Sequence, residues 1–191
     1  ASKIHEHWSD NIFLEADTVA GDIEGIAASA PIKVSRQIRM ARQCMVPLEG
    51  KGVVAAWERQ AEQLTLHTST QMPHIVRQGL AECLGIDQGL IRVIAPDVGG
   101  GFGYKGLLQA EEVIAAWLAR ALDHPVRWTE DRREHLVAAA NAREHRYEIT
   151  AYADATGRLL GLDALAWVDA GAYSVYPFSA CLEAAQLGSI L

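Results

Sequence analysis

The run Asp97-Val98-Gly99-Gly100-Gly101-Phe102-Gly103-Tyr104-Lys105-Gly106 constrains this chain more than any other segment. Five glycines fall within the eight positions 99–106. Glycine loses more backbone freedom on folding than any other residue, so such a run persists where the chain must turn sharply or lie close against something. Amides without side chains can also form a concave nest for oxygen anions. The run follows a short apolar segment, 91–95, that reads as a strand. It precedes 107–122, the clearest helix in the sequence, with Glu111 and Glu112 early and Arg120 late, as the helix dipole prefers. A helix start at Leu107 would place partial positive charge behind the loop.

Three readings of the loop stand on the residues alone: a flexible surface connection, an anion nest, and a nucleotide site. Gly101-Phe102-Gly103-Tyr104-Lys105-Gly106 fits G-x-G-x-x-G, and Glu130 follows the next predicted strand where a dinucleotide fold wants an acid. The Walker A pattern fails, because Lys105 is followed by Gly106 and not by Ser or Thr.

A second strand-to-helix turn lies upstream, Thr68-Ser69-Thr70-Gln71-Met72-Pro73-His74. Pro73 suits the first turn of a helix running to about Leu84, and Gly85 suits the residue past its end. Ser69 or Thr70 is expected to cap that helix. Gln71 is a candidate to donate its amide N–H to a bound oxygen. The two turns meet on one ligand if their strands are neighbours.

The rest of the chain supports an α+β fold of mixed hairpins and helices. Segments 53–57 and 64–69 read as one hairpin. Strict alternation over 143–153, then Asp154-Ala155-Thr156-Gly157 and 159–168, reads as a second, longer one. A strand is expected over 32–43, short helices over 22–30 and 131–140, and a short strand over 125–128. Asp131-Arg132-Arg133-Glu134 reads as a solvated helix face. Trp117 and Trp167 are expected to fill core or interface.

Of 191 residues, 50% are hydrophobic and 21% charged, which suits a folded domain. A net charge of -7 argues against nucleic acid as a partner. No apolar run approaches the ~20 residues that span a bilayer, and no secretion signal is visible at the start. Cys44, Cys83 and Cys181 are widely spaced without a CxxC pair. Reduced thiols, a cytoplasmic location and no protein-ligated metal are the expectations.

Four segments in order carry a family resemblance: Pro47-Leu48-Glu49, Ser69-Thr70-Gln71, the glycine loop, and Asp169-Ala170-Gly171-Ala172-Tyr173. Together they resemble the molybdopterin-binding region of the large subunit in the xanthine dehydrogenase/aldehyde oxidase family. The nearest flavour is that of bacterial carbon monoxide dehydrogenase-like or aldehyde dehydrogenase-like members. The resemblance covers roughly 33–187. It implies that residues 1–30 are the tail of a preceding domain or a linker, and that 31–191 are the N-terminal part of an incomplete molybdopterin-binding domain.

The resemblance also implies site roles. Gln71 would hydrogen-bond to a molybdenum oxygen and Phe102 would offer its backbone N–H, while Gly100, Gly101 and Gly103 let the backbone come close. The metal itself would be held by a molybdopterin, with a cytosine dinucleotide form usual for a bacterial relative. The parent reaction would be water-dependent hydroxylation or oxidation of a small molecule such as an aldehyde, an N-heterocycle or carbon monoxide. FAD and [2Fe-2S] clusters would sit on partner chains or domains: the remainder of the large subunit, an iron–sulfur subunit and an FAD subunit. The family's glutamate base belongs to a late Gly-x-Gly-Glu segment absent from this sequence, so no catalytic residue is assigned, and the chain alone would be inactive. Gly106 stands where some relatives carry a glutamate, and Met45 where many carry histidine. The alternatives are a non-catalytic scaffold domain of the same fold and a dinucleotide-binding module.

Overall fold

The computed structural model describes residues 2–12 and 14–172. Tyr173 of the fourth family segment and Cys181 lie outside the described residues. The elements in chain order are α1 (Ile23–Ser29), β1 (Ile32–Met40), β2 (Gln43–Cys44), β3 (Gly52–Glu58), β4 (Gln63–Thr68), α2 (Pro73–Leu84), β5 (Ile91–Ile94), α3 (Ala110–Leu122), β6 (Val126–Thr129), α4 (Arg132–Ala138), β7 (Asn141–Ala142), β8 (Glu144–Ala153) and β9 (Leu159–Asp169). The chain forms two compact units. One takes the chain up to Gln43 and again from Arg143; the other is the continuous stretch Cys44–Ala142.

The discontinuous unit holds an antiparallel sheet in the order β1-β8-β9. The hairpin expected from alternation forms, with Ile149 opposite Ala164 and a bulge at Tyr152/Ala153. β1 pairs along its whole length with β8, from Ile32 opposite Ala153 to Met40 opposite His145. Helix α1 starts at the Asp22 cap, whose carboxylate accepts from Gly25 N–H. It packs against β9 at Gly161, where an added Cβ would lie 3.0 Å from Ile23. Residues 22–29 therefore belong with the β8–β9 hairpin in one compact unit.

The continuous unit holds a four-stranded sheet in the order β5-β4-β3-β6. β3 is antiparallel to both β4 and β6, and β4 is parallel to β5. The β4–α2–β5 crossover makes that parallel pair. Inward residues of alternating parity, Val53 and Ala55 on β3 and Leu64 and Leu66 on β4, form the core with Val76 and Leu80 of α2 and Ala115, Ala116 and Ala119 of α3. Fully burying a leucine of this kind contributes roughly 1.5–3 kcal/mol. The alanines of α3 let the helix lie close to the sheet. Gly79 lets α2 lie close to the segment before α3, since a Cβ there would come within 2.6 Å of Leu108.

Helix α2 has the predicted limits, with Pro73 at its start and Gly85 left-handed at φ 63°. Two expectations are corrected. Its N-cap is Met72, without a side-chain cap, because Ser69 and Thr70 are buried and spend their hydroxyls on other partners. The helix expected from Leu107 starts at Ala110, because Tyr104–Gly106 forms a separate 3-10 turn and the chain is extended at Leu107 and Gln109. Trp117 and Trp167 are 56% and 43% exposed, which leaves them outside the core of their own units.

Candidate cofactor site

One end of the four-stranded sheet collects the chemistry. β4, β5 and β6 point the same way and β3 runs opposite. The exits of β4, β5 and β6 and the entry to β3 therefore share that end. This places Ser69-Thr70-Gln71, the glycine loop, Glu130 and Glu49–Lys51 together. Crevices beyond the carboxyl ends of parallel strands are where open α/β sheets bind ligands.

The two strand-to-helix turns do meet. Gln71 Oε1 accepts the Gly103 N–H at 3.1 Å. Gln71 N–H donates to the Lys105 carbonyl at 2.9 Å, and the Thr70 hydroxyl donates to the same carbonyl. Thr70 Oγ1 in turn accepts from Met72 N–H, and Ser69 Oγ accepts from Gly52 N–H. The hydroxyls expected to cap α2 thus stitch the turn to the loop and to β3.

The loop geometry explains its glycines. Gly100 and Gly103 have φ of 97° and 88°, a region that L side chains rarely enter. At Gly101 an added Cβ would fall 2.3 Å from Gln71 Oε1, so the side-chain amide lies directly against this backbone. Phe102 is left-handed at φ 52° and the residue is 73% exposed. A bulky residue held in that region is strained by about 1–2 kcal/mol. Among the described residues the N–H groups of Gly100, Gly101 and Phe102 donate to no protein acceptor.

Because the Gly103 N–H must face an acceptor, the Gln71 oxygen is fixed toward the loop and the Nε2 donors are left over. Gln71 is exposed. Unspent donors on Gln71 and on bare backbone amides, gathered beside a surface without side chains, suit a ligand rich in oxygen acceptors. The residues present fit a molybdopterin on this test. The helix-dipole contribution expected behind the loop is absent, since α3 begins beyond it and Glu112 Oε2 caps the Gln109 N–H.

Behind the loop lies a buried charge network that local sequence patterns did not reveal. Lys105 is fully buried and its ammonium lies 2.7 Å from Glu49 Oε2. The same oxygen accepts the Gly99 N–H. Burial pulls the Glu49 carboxyl upward, but Lys105 and Gly99 outweigh it and hold it below the usual carboxylate value. Lys51 and Glu112, also fully buried, are 3.0 Å apart. Glu112 accepts from the Thr68 hydroxyl and from Gln109 N–H, whereas Lys51 Nζ makes no hydrogen bond of its own. Burial, against the pull of Glu112, lowers the Lys51 pKa.

Glu130 is spoken for at both oxygens. Tyr104 OH donates to Oε1 at 2.7 Å, and Lys51 N–H donates to Oε2. His135 Nδ1 lies 3.1 Å from Oε2 while its Nε2 meets the Met45 carbonyl. Burial raises Glu130, and these donors more than reverse it, leaving the carboxyl below its usual value. Burial, then Glu130, pushes Tyr104 far up. A Glu130 engaged in this way is not open to a ribose, and Gly106 is separated from α3 by an extended stretch. Both points remove the dinucleotide reading. The Asp131–Glu134 segment is a capping box, and Arg132 reaches the Pro47 and Leu48 carbonyls. It holds the Pro-Leu-Glu segment and is not merely a solvated face.

Residues 4–188 match the molybdopterin cofactor-binding domain family. The chain is 37% identical over 174 residues to the nicotine 6-hydroxylase large subunit of Paenarthrobacter nicotinovorans, covering 91% of this chain and 21% of that protein. It is 34% identical over 167 residues to the carbon monoxide dehydrogenase large chain of Hydrogenophaga pseudoflava, covering 86% of this chain and 20% of that one. The fold superposes on quinoline 2-oxidoreductase from Pseudomonas putida 86 with a TM-score of 0.71 and 42% identity, over 81% of this chain and 20% of that chain. The chain thus spans about a fifth of the length of these relatives. No helix among the described residues is long and apolar enough to cross a membrane. The chain belongs to the molybdopterin cofactor-binding domain family and corresponds to a stretch of the large subunit of molybdenum hydroxylases.

Proposed function

We propose that this chain lines one wall of the molybdenum-pterin site in a hydroxylase large subunit. Gln71 Nε2 and the Phe102 N–H donate to acceptor atoms of the cofactor, and Gly100, Gly101 and Gly103 let the backbone lie against it. The observation that carries this reading is the hydrogen bond from Gly103 N–H to Gln71 Oε1, which spends the acceptor of the amide on the loop and leaves its Nε2 donors for a ligand. The bound cofactor supplies two-electron oxidation of a small molecule with water as the oxygen source. This chain's own residues bind and orient. Prearranged donors cost no reorganisation at the moment of reaction.

The relatives named above are large subunits or large chains. We extend that to partners for this protein: the remainder of a large subunit, an iron–sulfur subunit and an FAD subunit. A cytosine dinucleotide tail, an aldehyde, N-heterocycle or carbon monoxide substrate, and a reducing cytoplasmic setting belong to the same proposal. Exposed, unbridged Cys44 and Cys83 support the last of these.

The test is metal and pterin analysis of the full-length protein assembled with its subunits. Molybdenum and released pterin near one per large subunit, both falling in a Gln71→Ala variant that remains folded, are the expected results. A full-length protein that carries neither would overturn the reading.

A further inference from the structure

We propose that Glu49 is a positioning residue that clamps the two ends of the glycine loop to one carboxylate oxygen and so holds the cofactor wall in shape before the cofactor arrives. The inference rests on the reading of the loop given above. Glu49 Oε2 accepts the N–H of Gly99, where the loop begins, and the ammonium of Lys105, where it ends. Glu49 N–H donates back to the Gly99 carbonyl at 3.3 Å. The contact is so close that a Cβ at Gly99 would fall 2.6 Å from Glu49 Cβ. Lys105 is held from its other side too, because its carbonyl takes the Gln71 N–H and the Thr70 hydroxyl.

The clamp is asymmetric. The Lys105 side chain is 0% exposed and that of Glu49 is 37% exposed. Removing Glu49 therefore leaves a buried cation without its counter-charge, and the loop must open for Lys105 to reach water. Removing Lys105 instead leaves a carboxylate that water can solvate. Pre-organisation of this kind matters most for a loop with four glycines between positions 99 and 105, which has little side-chain packing to hold its shape.

The experiment compares Glu49→Ala, Glu49→Gln and the double variant Glu49→Gln/Lys105→Met in the full-length assembled protein. Three quantities are read: amide hydrogen exchange in cofactor-free protein, thermal stability, and pterin retained by protein isolated with its cofactor. In Glu49→Ala the Gly103 and Tyr104 amides should exchange faster by about tenfold or more, while α2 and the β3–β4 hairpin keep their protection. Pterin content should fall with them. Glu49→Gln keeps an oxygen for Gly99 and should lie between. The double variant removes the uncompensated cation, so it should recover thermal stability without recovering loop protection or pterin.

Unchanged exchange at Gly103 and Tyr104 in Glu49→Ala overturns the clamp. Recovery of stability, protection and pterin together in the double variant also overturns it, because Glu49 would then serve only to neutralise Lys105. A wild-type protein without pterin overturns the functional reading of the loop, and the exchange arm still decides whether Glu49 clamps it.

Discussion

Gln71 and Gly103, 32 residues apart in sequence, are joined by one hydrogen bond from the glycine backbone to the side-chain amide oxygen. The bond uses the acceptor of Gln71 and leaves its donors. Gln71→Glu separates the two functions, since a carboxylate still accepts from Gly103 but has no N–H to offer. The loop should keep its exchange protection, while substrate turnover falls by roughly 10²–10³-fold, the usual effect of removing one prearranged donor. Steady-state kinetics on the assembled enzyme check this. Phe102→Gly should retain the cofactor, because the assigned group is the backbone N–H and glycine relieves the positive φ.

Gly101→Ala places a methyl where Gln71 already sits, 2.3 Å from its oxygen. The side chain must rotate away, which breaks its bond to Gly103. Pterin content should drop while the far-ultraviolet circular dichroism and the core of the continuous unit are unchanged. A variant with full pterin content would show that Gln71 and Gly101 do not share one binding surface.

The Lys51–Glu112 pair anchors the layer beneath the loop. Glu112→Ala strands a fully buried ammonium and costs about 3–5 kcal/mol. Lys51→Met should cost less, because Glu112 keeps the Thr68 hydroxyl and the Gln109 N–H. Urea unfolding of both variants tests the order. Equal losses would mean that the hydrogen bonds to Glu112 contribute little.

Acid should loosen this end of the sheet. Glu130 is held below its usual value of 4.5: burial opposes the shift, and the Lys51 N–H, Tyr104 and His135 produce it. A carboxylate depressed in the folded state contributes stability that is fully present above its unfolded value. That stability is lost as pH falls through the lower folded value. Glu49 acts in the same direction, with a smaller effect expected because its side chain is partly exposed. Unfolding free energies measured from pH 7 down to about pH 3 should decline below about 4.5, and Glu130→Gln should flatten that decline.

Much of the local structure was readable in advance. Proline and glycine mark the limits of α2, and strict alternation marks β8 and β9. Both signals act through a residue's own backbone or its immediate neighbours. The start of α3 is not legible locally, because Gly106 and Leu107 carry no signal for a separate turn before the helix. Ser69 and Thr70 do not cap α2 as their residue types suggest, because their partners Gly52 and Lys105 come from elsewhere in the chain.

Two strand-to-helix turns, one ending in an amide side chain and one nearly bare of side chains, are written in the residues of this chain. Their meeting side by side is a property of the fold, because parallel pairing of β4 with β5 is a long-range event with no local code. The same holds for the charges. Lys51, Lys105, Glu112 and Glu130 look like surface residues in a string of letters, and they become buried only when the fold brings the start of β3, the 3-10 turn, the first turn of α3 and the end of β6 together.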